Sequence, residues 1–317
     1  MRRIAALLSV PLLAVLALAG CGSSTSSSSP SVLVKGHFGT SPSVSIPKET
    51  AGKSLAVKTL VKGNGPALTK TDAFVGNYAV YIWSGKTSKL AESTFTTKSP
   101  ALFSGQLLPG LESALQGKKM GSRVLAVIPP ADGYGKSGNS RAGVTAKDTL
   151  VFVVDMIKEF PNTASASGSK VSRGGGSLPS VTVGQSGAAP TISIPKSGKP
   201  PTSLVIKTLI KGTGPAVTQG QTVVSQYVGE IWRTGKVFDS SWSRGTPFGF
   251  TIGATPSQVI TGWDKGLIGQ TVGSRVMLVV PPADGYGKTG SSQAGINGTD
   301  TLVFVIDILG AVSPAAS

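Results

Sequence analysis

The sequence predicts an α+β protein built twice, each copy an antiparallel β-sheet curled around one short α-helix. Three observations carry that prediction. The chain repeats itself about every 150 residues: Ser45-Ile46-Pro47-Lys48 returns as Ser193-Ile194-Pro195-Lys196, and Pro129 to Lys136 returns residue for residue as Pro281 to Lys288. Within each copy the apolar runs are short, rich in Val, Ile, Thr and aromatics, and bounded by Gly, Pro or Asp. Gln221 to Trp232, Ser274 to Val280 and Thr301 to Leu309 are examples, and each reads as a strand. One segment per copy has helical spacing, Leu108 to Gln116 and Pro256 to Leu267. In the latter Val259, Ile260 and Trp263 share a face. A curled sheet on a single helix is an α+β domain.

Taken in order, the chain opens with Arg2 and Arg3, an apolar run from Ile4 to Leu18, and then Leu18-Ala19-Gly20-Cys21. A positive start, a short apolar core and small residues before a cleavage point make residues 1–20 a secretory signal. The run falls short of the roughly 20 residues that a membrane-spanning helix needs. A Cys directly after Leu-Ala-Gly resembles the bacterial lipobox, which implies that Cys21 becomes a lipid-modified N-terminus. Residues 21–40, led by a Ser-rich tract, are expected to be a flexible tether. Residues 41–160 hold the first copy, 161–187 a low-complexity linker with Gly174-Gly175-Gly176, and 188–311 the second copy.

Composition removes several chemistries. The one histidine, His37, falls in the tether, which argues against a histidine base, a Ser-His-Asp triad and a His-ligated metal. With a single cysteine there is no intramolecular disulfide and no Cys-rich metal site. No cofactor is expected. The formal charge of +16 comes from scattered Lys and Arg with no basic run interleaved with aromatics, so nucleic acid is not an expected partner. On an exported protein such charge favours an anionic membrane surface or cell wall, and it also keeps a Gly-rich chain soluble.

Five runs in the second copy carry the chemistry. They are Gln226-Tyr227-Val228-Gly229, Gly235 to Ser241, Val259 to Trp263, Pro282 to Gly287, and Thr301-Leu302-Val303-Phe304. They gather aromatic and branched side chains around one carboxylate and two hydroxyls. In this order they resemble the FKBP-type peptidyl-prolyl isomerases, and the resemblance covers nearly all of each copy. It implies two FKBP-like domains and a reaction that needs no nucleophile, metal or cofactor. The barrier to peptide-bond rotation is about 18–20 kcal/mol. Lowering it by about 4–8 kcal/mol gives roughly a thousandfold to a millionfold acceleration.

The resemblance implies that Tyr227, Phe238, Phe248, Val259, Ile260, Trp263 and Phe304 line the pocket, with Trp263 as its floor. Asp239 is the expected buried carboxylate and Arg244 its charge partner. Tyr286 supplies a hydroxyl to the substrate carbonyl, the Ile260 N–H a second donor, and Ile296 a place in the overhanging loop. Tyr227, Phe238, Asp239, Trp263, Tyr286 and Phe304 are the expected catalytic set. Read alone, Asp239 before two serines is equally a turn residue closing a hairpin. Phe250, Leu302 and Val303 read as core, and Pro281-Pro282 as a strand end. The loop Gly295-Ile296-Asn297-Gly298 departs from the proline-rich tip often seen in the family.

The first copy keeps Tyr78, Tyr134 and Phe152 at the places of Tyr227, Tyr286 and Phe304. Alignment by eye then sets Leu90 at Phe238, Ala91 at Asp239, Ala101 at Phe248 and Leu111 at Trp263, with a shorter loop between Phe103 and Gln106. The carboxylate is expected to be absent there, and the copy weakly active or inactive. The expected function is isomerisation of Xaa-Pro bonds in exported proteins, unfolded or proline-containing, by the second copy. Macrolides such as tacrolimus are implied as inhibitors. The rival reading is a non-enzymatic scaffold lipoprotein that uses the pockets to hold a partner.

Overall fold

The computed structural model describes residues 32–171, 177–182, 187–195 and 197–314. The expected signal segment and the lipidation site at Cys21 lie outside the described residues. A hairpin comes first, β1 (Leu33–Lys35) with β2 (Ser43–Ser45). The first domain follows as β3 (Ala56–Val61), β4 (Ala73–Ser84), β5 (Thr87–Ser93), α1 (Thr94–Thr97), β6 (Ala101–Phe103), α2 (Pro109–Leu115), β7 (Arg123–Ile128) and β8 (Thr149–Phe160). Its antiparallel sheet runs β3-β7-β8-β4-β5, with β6 also on β4.

After β9 (Ser169–Lys170) and a second hairpin, β10 (Ser180–Thr182) with β11 (Thr191–Ser193), the plan repeats. The elements are β12 (Val205–Lys211), β13 (Thr222–Ile231), β14 (Lys236–Ser240), α3 (Ser241–Arg244), β15 (Phe248–Thr251), α4 (Thr261–Leu267), β16 (Arg275–Val280) and β17 (Leu302–Val312). The order is β14-β13-β17-β16-β12-β9, with β15 on β13.

Each domain thus has the expected sheet and core-facing helix, plus a four-residue helix, α1 or α3, that the sequence reading did not include. The helix expected from Pro256 starts at Thr261. The residues before it are held as a loop by Asp264, which accepts from the Gly253 N–H at 2.8 Å and the Ser257 hydroxyl at 2.7 Å.

The central strands are buried on both faces, which is why they read as nearly continuous apolar runs. On β17, Phe304, Ile306 and Ile308 face α4, while Val303 and Val305 face the other way. The hairpins cover that other face: Val34, Val44 and Ile46 pack beside Trp83 in the first domain, and Val181, Ile192 and Ile194 beside Trp232 in the second.

Two expectations are corrected by this. The tether expected over 21–40 includes strand β1, and the linker expected over 161–187 includes β9 and β10. Val34 in β1 and Val181 in β10 give these Ser-rich stretches an apolar residue to bury, while β9, exposed at both positions, is held by pairing with β12. Each is also anchored by a buried ion pair. Asp155 bonds Arg123 at 2.6 Å and accepts from the Gly39 N–H at 2.7 Å. Asp307 bonds Arg275 at 2.6 Å and accepts from the Ala166 N–H at 2.8 Å.

The domains touch along their β6 and β15 edges. Val75 and Phe160 pack with Val224, Leu309 and Val312. The Thr222 hydroxyl donates to the Pro100 carbonyl at 2.7 Å, and the Ser99 and Thr251 hydroxyls are 2.6 Å apart.

Candidate functional site

In the second domain, strand alternation sends Tyr227 and Gly229 of β13 toward α4. Gly229 lies opposite Asp239 on β14 and Phe304 on β17. A Cβ there would stand 2.8 Å from the Phe238 ring and 2.9 Å from that of Phe304, so the glycine makes room for both aromatics. Trp263, on the first turn of α4, is 3% exposed. It meets Tyr227 edge-on at 5.1 Å and Phe304 at 5.4 Å, and Phe238 meets Phe304 at 5.6 Å. These near-perpendicular contacts are favoured by the ring quadrupoles and hold the walls in one arrangement. The cavity they enclose is about 200 Å³.

Its lining contains Tyr227, Phe238, Asp239, Phe248, Val259, Ile260, Trp263, Tyr286 and Phe304, all expected from the sequence, and Gln258, which was not. Gln258 stands in no motif; its side chain accepts from the Thr251 N–H at 2.8 Å and closes the loop before α4. Ile296 is 4% exposed and packs in one cluster with Tyr227, Trp263 and Phe304, although it is not itself among the residues that line the cavity.

The polar groups form one linked set at the rim. The Tyr227 hydroxyl donates to Asp239, Arg244 pairs with Asp239, and Arg244 Nη2 donates to the Tyr227 oxygen at 2.9 Å. The Asp239 side chain is 40% exposed, so the carboxylate expected to be buried sits at the mouth of the pocket, where its arginine reaches it from α3. Burial, and then the hydrogen bond to Asp239, push the Tyr227 phenol up to about 12. Burial and the Asp239 charge also raise Tyr286. Both tyrosines are therefore neutral hydroxyl donors near pH 7. Ile260 caps α4, its carbonyl accepting from the Trp263 N–H at 2.9 Å, and its own N–H stands outside the helix bonding.

In the first domain Tyr78, Phe152, Tyr134, Leu111 and Ala101 occupy the expected places around a cavity. The hairpin between them does not follow the alignment by eye. Val80 on β4, the counterpart of Gly229, lies opposite Glu92, and Tyr81 lies opposite Leu90. Glu92 therefore stands where Asp239 does, and the Tyr78 hydroxyl donates to it. Ala91, in turn, replaces Phe238. Leu90 points away and is 49% exposed. The carboxylate expected to be missing is present as a glutamate.

The slip arises because tyrosine and carboxylate are 14 residues apart here and 12 apart in the second domain. What the first domain lacks is aromatic bulk and the arginine, whose position on α1 is Thr97. Its cavity is correspondingly larger, about 970 Å³. Among the described residues no group of three His, Cys, Asp or Glu side chains is placed to hold a metal.

The model of one protein family, described as FKBP-type peptidyl-prolyl cis-trans isomerase, matches residues 66–157 and again 214–309. An FK506-binding protein of Streptomyces anulatus is 45% identical over 106 residues, covering 33% of this chain and 84% of that protein. A probable FK506-binding protein of Corynebacterium glutamicum is 41% identical over 108 residues, 34% of this chain and 86% of that protein. FK506-binding protein 2B of Rhizopus delemar is 47% identical over 90 residues, 28% of this chain and 42% of that protein.

Proposed function

The chain belongs to the FKBP-type peptidyl-prolyl cis-trans isomerase family, and on that footing we propose that its second domain isomerises Xaa-Pro bonds of exported or cell-envelope proteins while its first is weakly active or inactive. The observation that carries this division is the floor of each cavity, Trp263 in one and Leu111 in the other. A proline ring against Trp263, walled by Phe238 and Phe304, is held away from water.

In the ground state the amide is planar and its carbonyl carries partial negative charge that water solvates; twisting about the C–N bond removes that conjugation. A cavity that strips water from the carbonyl therefore favours the twisted form over the planar one. The Tyr286 hydroxyl and the Ile260 N–H hold the substrate carbonyls without transferring a proton. Asp239, fixed by Tyr227 and Arg244, orients the mouth. No bond to a heavy atom forms or breaks. A macrolide of the FK506 type would compete for this cavity.

The N-terminal sequence supports export and lipid anchoring through Cys21 on the extracytoplasmic face, and the +16 charge supports contact with an anionic surface. Cys21→Ser should move the chain from the membrane fraction to the soluble one. The enzymatic reading is tested by the full chain acting on a short Xaa-Pro peptide. Trp263→Leu should lower kcat/KM about tenfold to a hundredfold, equivalent to losing about 1.4–2.8 kcal/mol of transition-state stabilisation. An unchanged rate would remove Trp263 from the site.

A further inference from the structure

The first domain's cavity keeps a polar mouth while its interior has been emptied. Trp263, Phe248 and Phe238 are replaced by Leu111, Ala101 and Ala91, and the segment before the helix is cut from seven residues between Phe250 and Gln258 to two between Phe103 and Gln106. The result is a cavity of about 970 Å³ against about 200 Å³, lined inside by leucine, isoleucine, valine and phenylalanine. At its mouth the Glu92 carboxylate offers an acceptor, and Arg141 and the Tyr134 hydroxyl offer donors. Acceptor and donors around an apolar interior match a polypeptide, whose main chain has both N–H and C=O and whose side chain can enter the hole.

The cavity also has an exit. A cleft of about 380 Å³ between the domains shares Glu92, Ala101 and Leu102 with the first cavity and Gln258 with the second. Its lining mixes the hydroxyl residues Thr97, Thr222 and Thr251 with the apolar Leu102 and Phe250. One extended chain laid in this cleft would run from the first cavity to Gln258 at the edge of the second.

We propose that the first domain is a holding site for a large aromatic or branched apolar side chain of the same polypeptide whose Xaa-Pro bond occupies the second cavity. The proline half of this statement rests on the function proposed above; the holding half does not. The second cavity is too small for a bulky side chain beside its aromatic walls. The first has no aromatic floor on which to seat a proline ring. The two copies thus divide gripping from turning over.

The test uses the full chain and two peptides. One is proline-free and carries a single tryptophan; the other joins the same tryptophan segment to an Xaa-Pro unit through an extended spacer. The proline-free peptide should bind saturably in fluorescence anisotropy. Leu111→Trp or, independently, Ala101→Phe should weaken it roughly tenfold by filling the hole. The joined peptide should be isomerised roughly tenfold more efficiently than a bare Xaa-Pro tetrapeptide, and that ratio should fall toward one in either variant. No saturable binding, or binding unaltered by both substitutions, overturns the holding site. Binding as expected with no rate advantage for the joined peptide overturns the shared cleft. Binding of a free FK506-type macrolide at the first cavity, with no binding of the peptide, replaces the proposed occupant. If instead the bare tetrapeptide is not accelerated while the proline-free peptide binds, the isomerase reading fails and the holding site stands.

Discussion

The Tyr78 hydroxyl donates to Glu92 in the first domain as the Tyr227 hydroxyl donates to Asp239 in the second. The two copies therefore share the tyrosine–carboxylate pair at the mouth of the pocket and differ in what lies beneath and beside it. Aromatic walls and an arginine belong to one copy, aliphatic space to the other. Shape, more than charge, separates them.

Tyr286 should act through its hydroxyl alone. The residue is 40% exposed, so Tyr286→Phe should leave the unfolding midpoint nearly unchanged while kcat/KM on a short Xaa-Pro peptide falls about tenfold, the equivalent of one hydrogen bond. Steady-state kinetics beside urea unfolding separates the two effects.

Gly229 and Phe238 should be coupled. Gly229→Val forces a side chain into the space of the Phe238 and Phe304 rings and should cost about 1–3 kcal/mol. Adding Phe238→Ala recreates the first domain's Val80 and Ala91 pairing and should recover part of that loss. A double-mutant cycle in urea measures the coupling; strictly additive costs would contradict it.

Asp307 should hold the segment before the second domain as well as the sheet. Asp307→Asn leaves Arg275 buried without its counter-charge and weakens the contact to the Ala166 N–H, with an expected loss of about 3–5 kcal/mol. Proteolysis near residue 166 should become faster in the variant, and faster than in a control surface substitution.

Glu230 should make stability depend on pH. It is 6% exposed on the face opposite the pocket, and burial pushes its carboxyl from the ordinary 4.5 up to about 7. A carboxyl raised in the folded state favours folding in its protonated form. The contribution is complete below about 4.5 and is lost as the pH rises through about 7. Unfolding midpoints at pH 5 and pH 8 should differ in that sense, and Glu230→Gln should shrink the difference.

Much of this was legible in the sequence because the second copy keeps short runs whose residue types the pocket requires. Tyr227, Phe238 and Phe304 converge because β13 lies between β14 and β17, and Trp263 joins them because α4 packs on that face of the sheet. The first copy's carboxylate was not legible. A hairpin two residues longer shifts the register, and nothing local marks which residue faces inward. The hairpins on the sheet's back face hid in Ser-rich text, since three-residue strands give only one or two apolar residues of signal. The half-exposed place of Asp239 at the mouth depends on how α3 folds back to bring Arg244 to it, which strand patterning does not encode.

The most direct measurement compares Asp239→Leu with Glu92→Leu in the full chain, each assayed for isomerisation of a short Xaa-Pro peptide. Asp239→Leu should lower kcat/KM about tenfold to a hundredfold, because the Tyr227 and Arg244 contacts lose their shared partner, and Glu92→Leu should change it less than twofold. Equal losses would give both domains a share of the catalysis, a larger loss from Glu92→Leu would place it in the first, and either would contradict the division of labour.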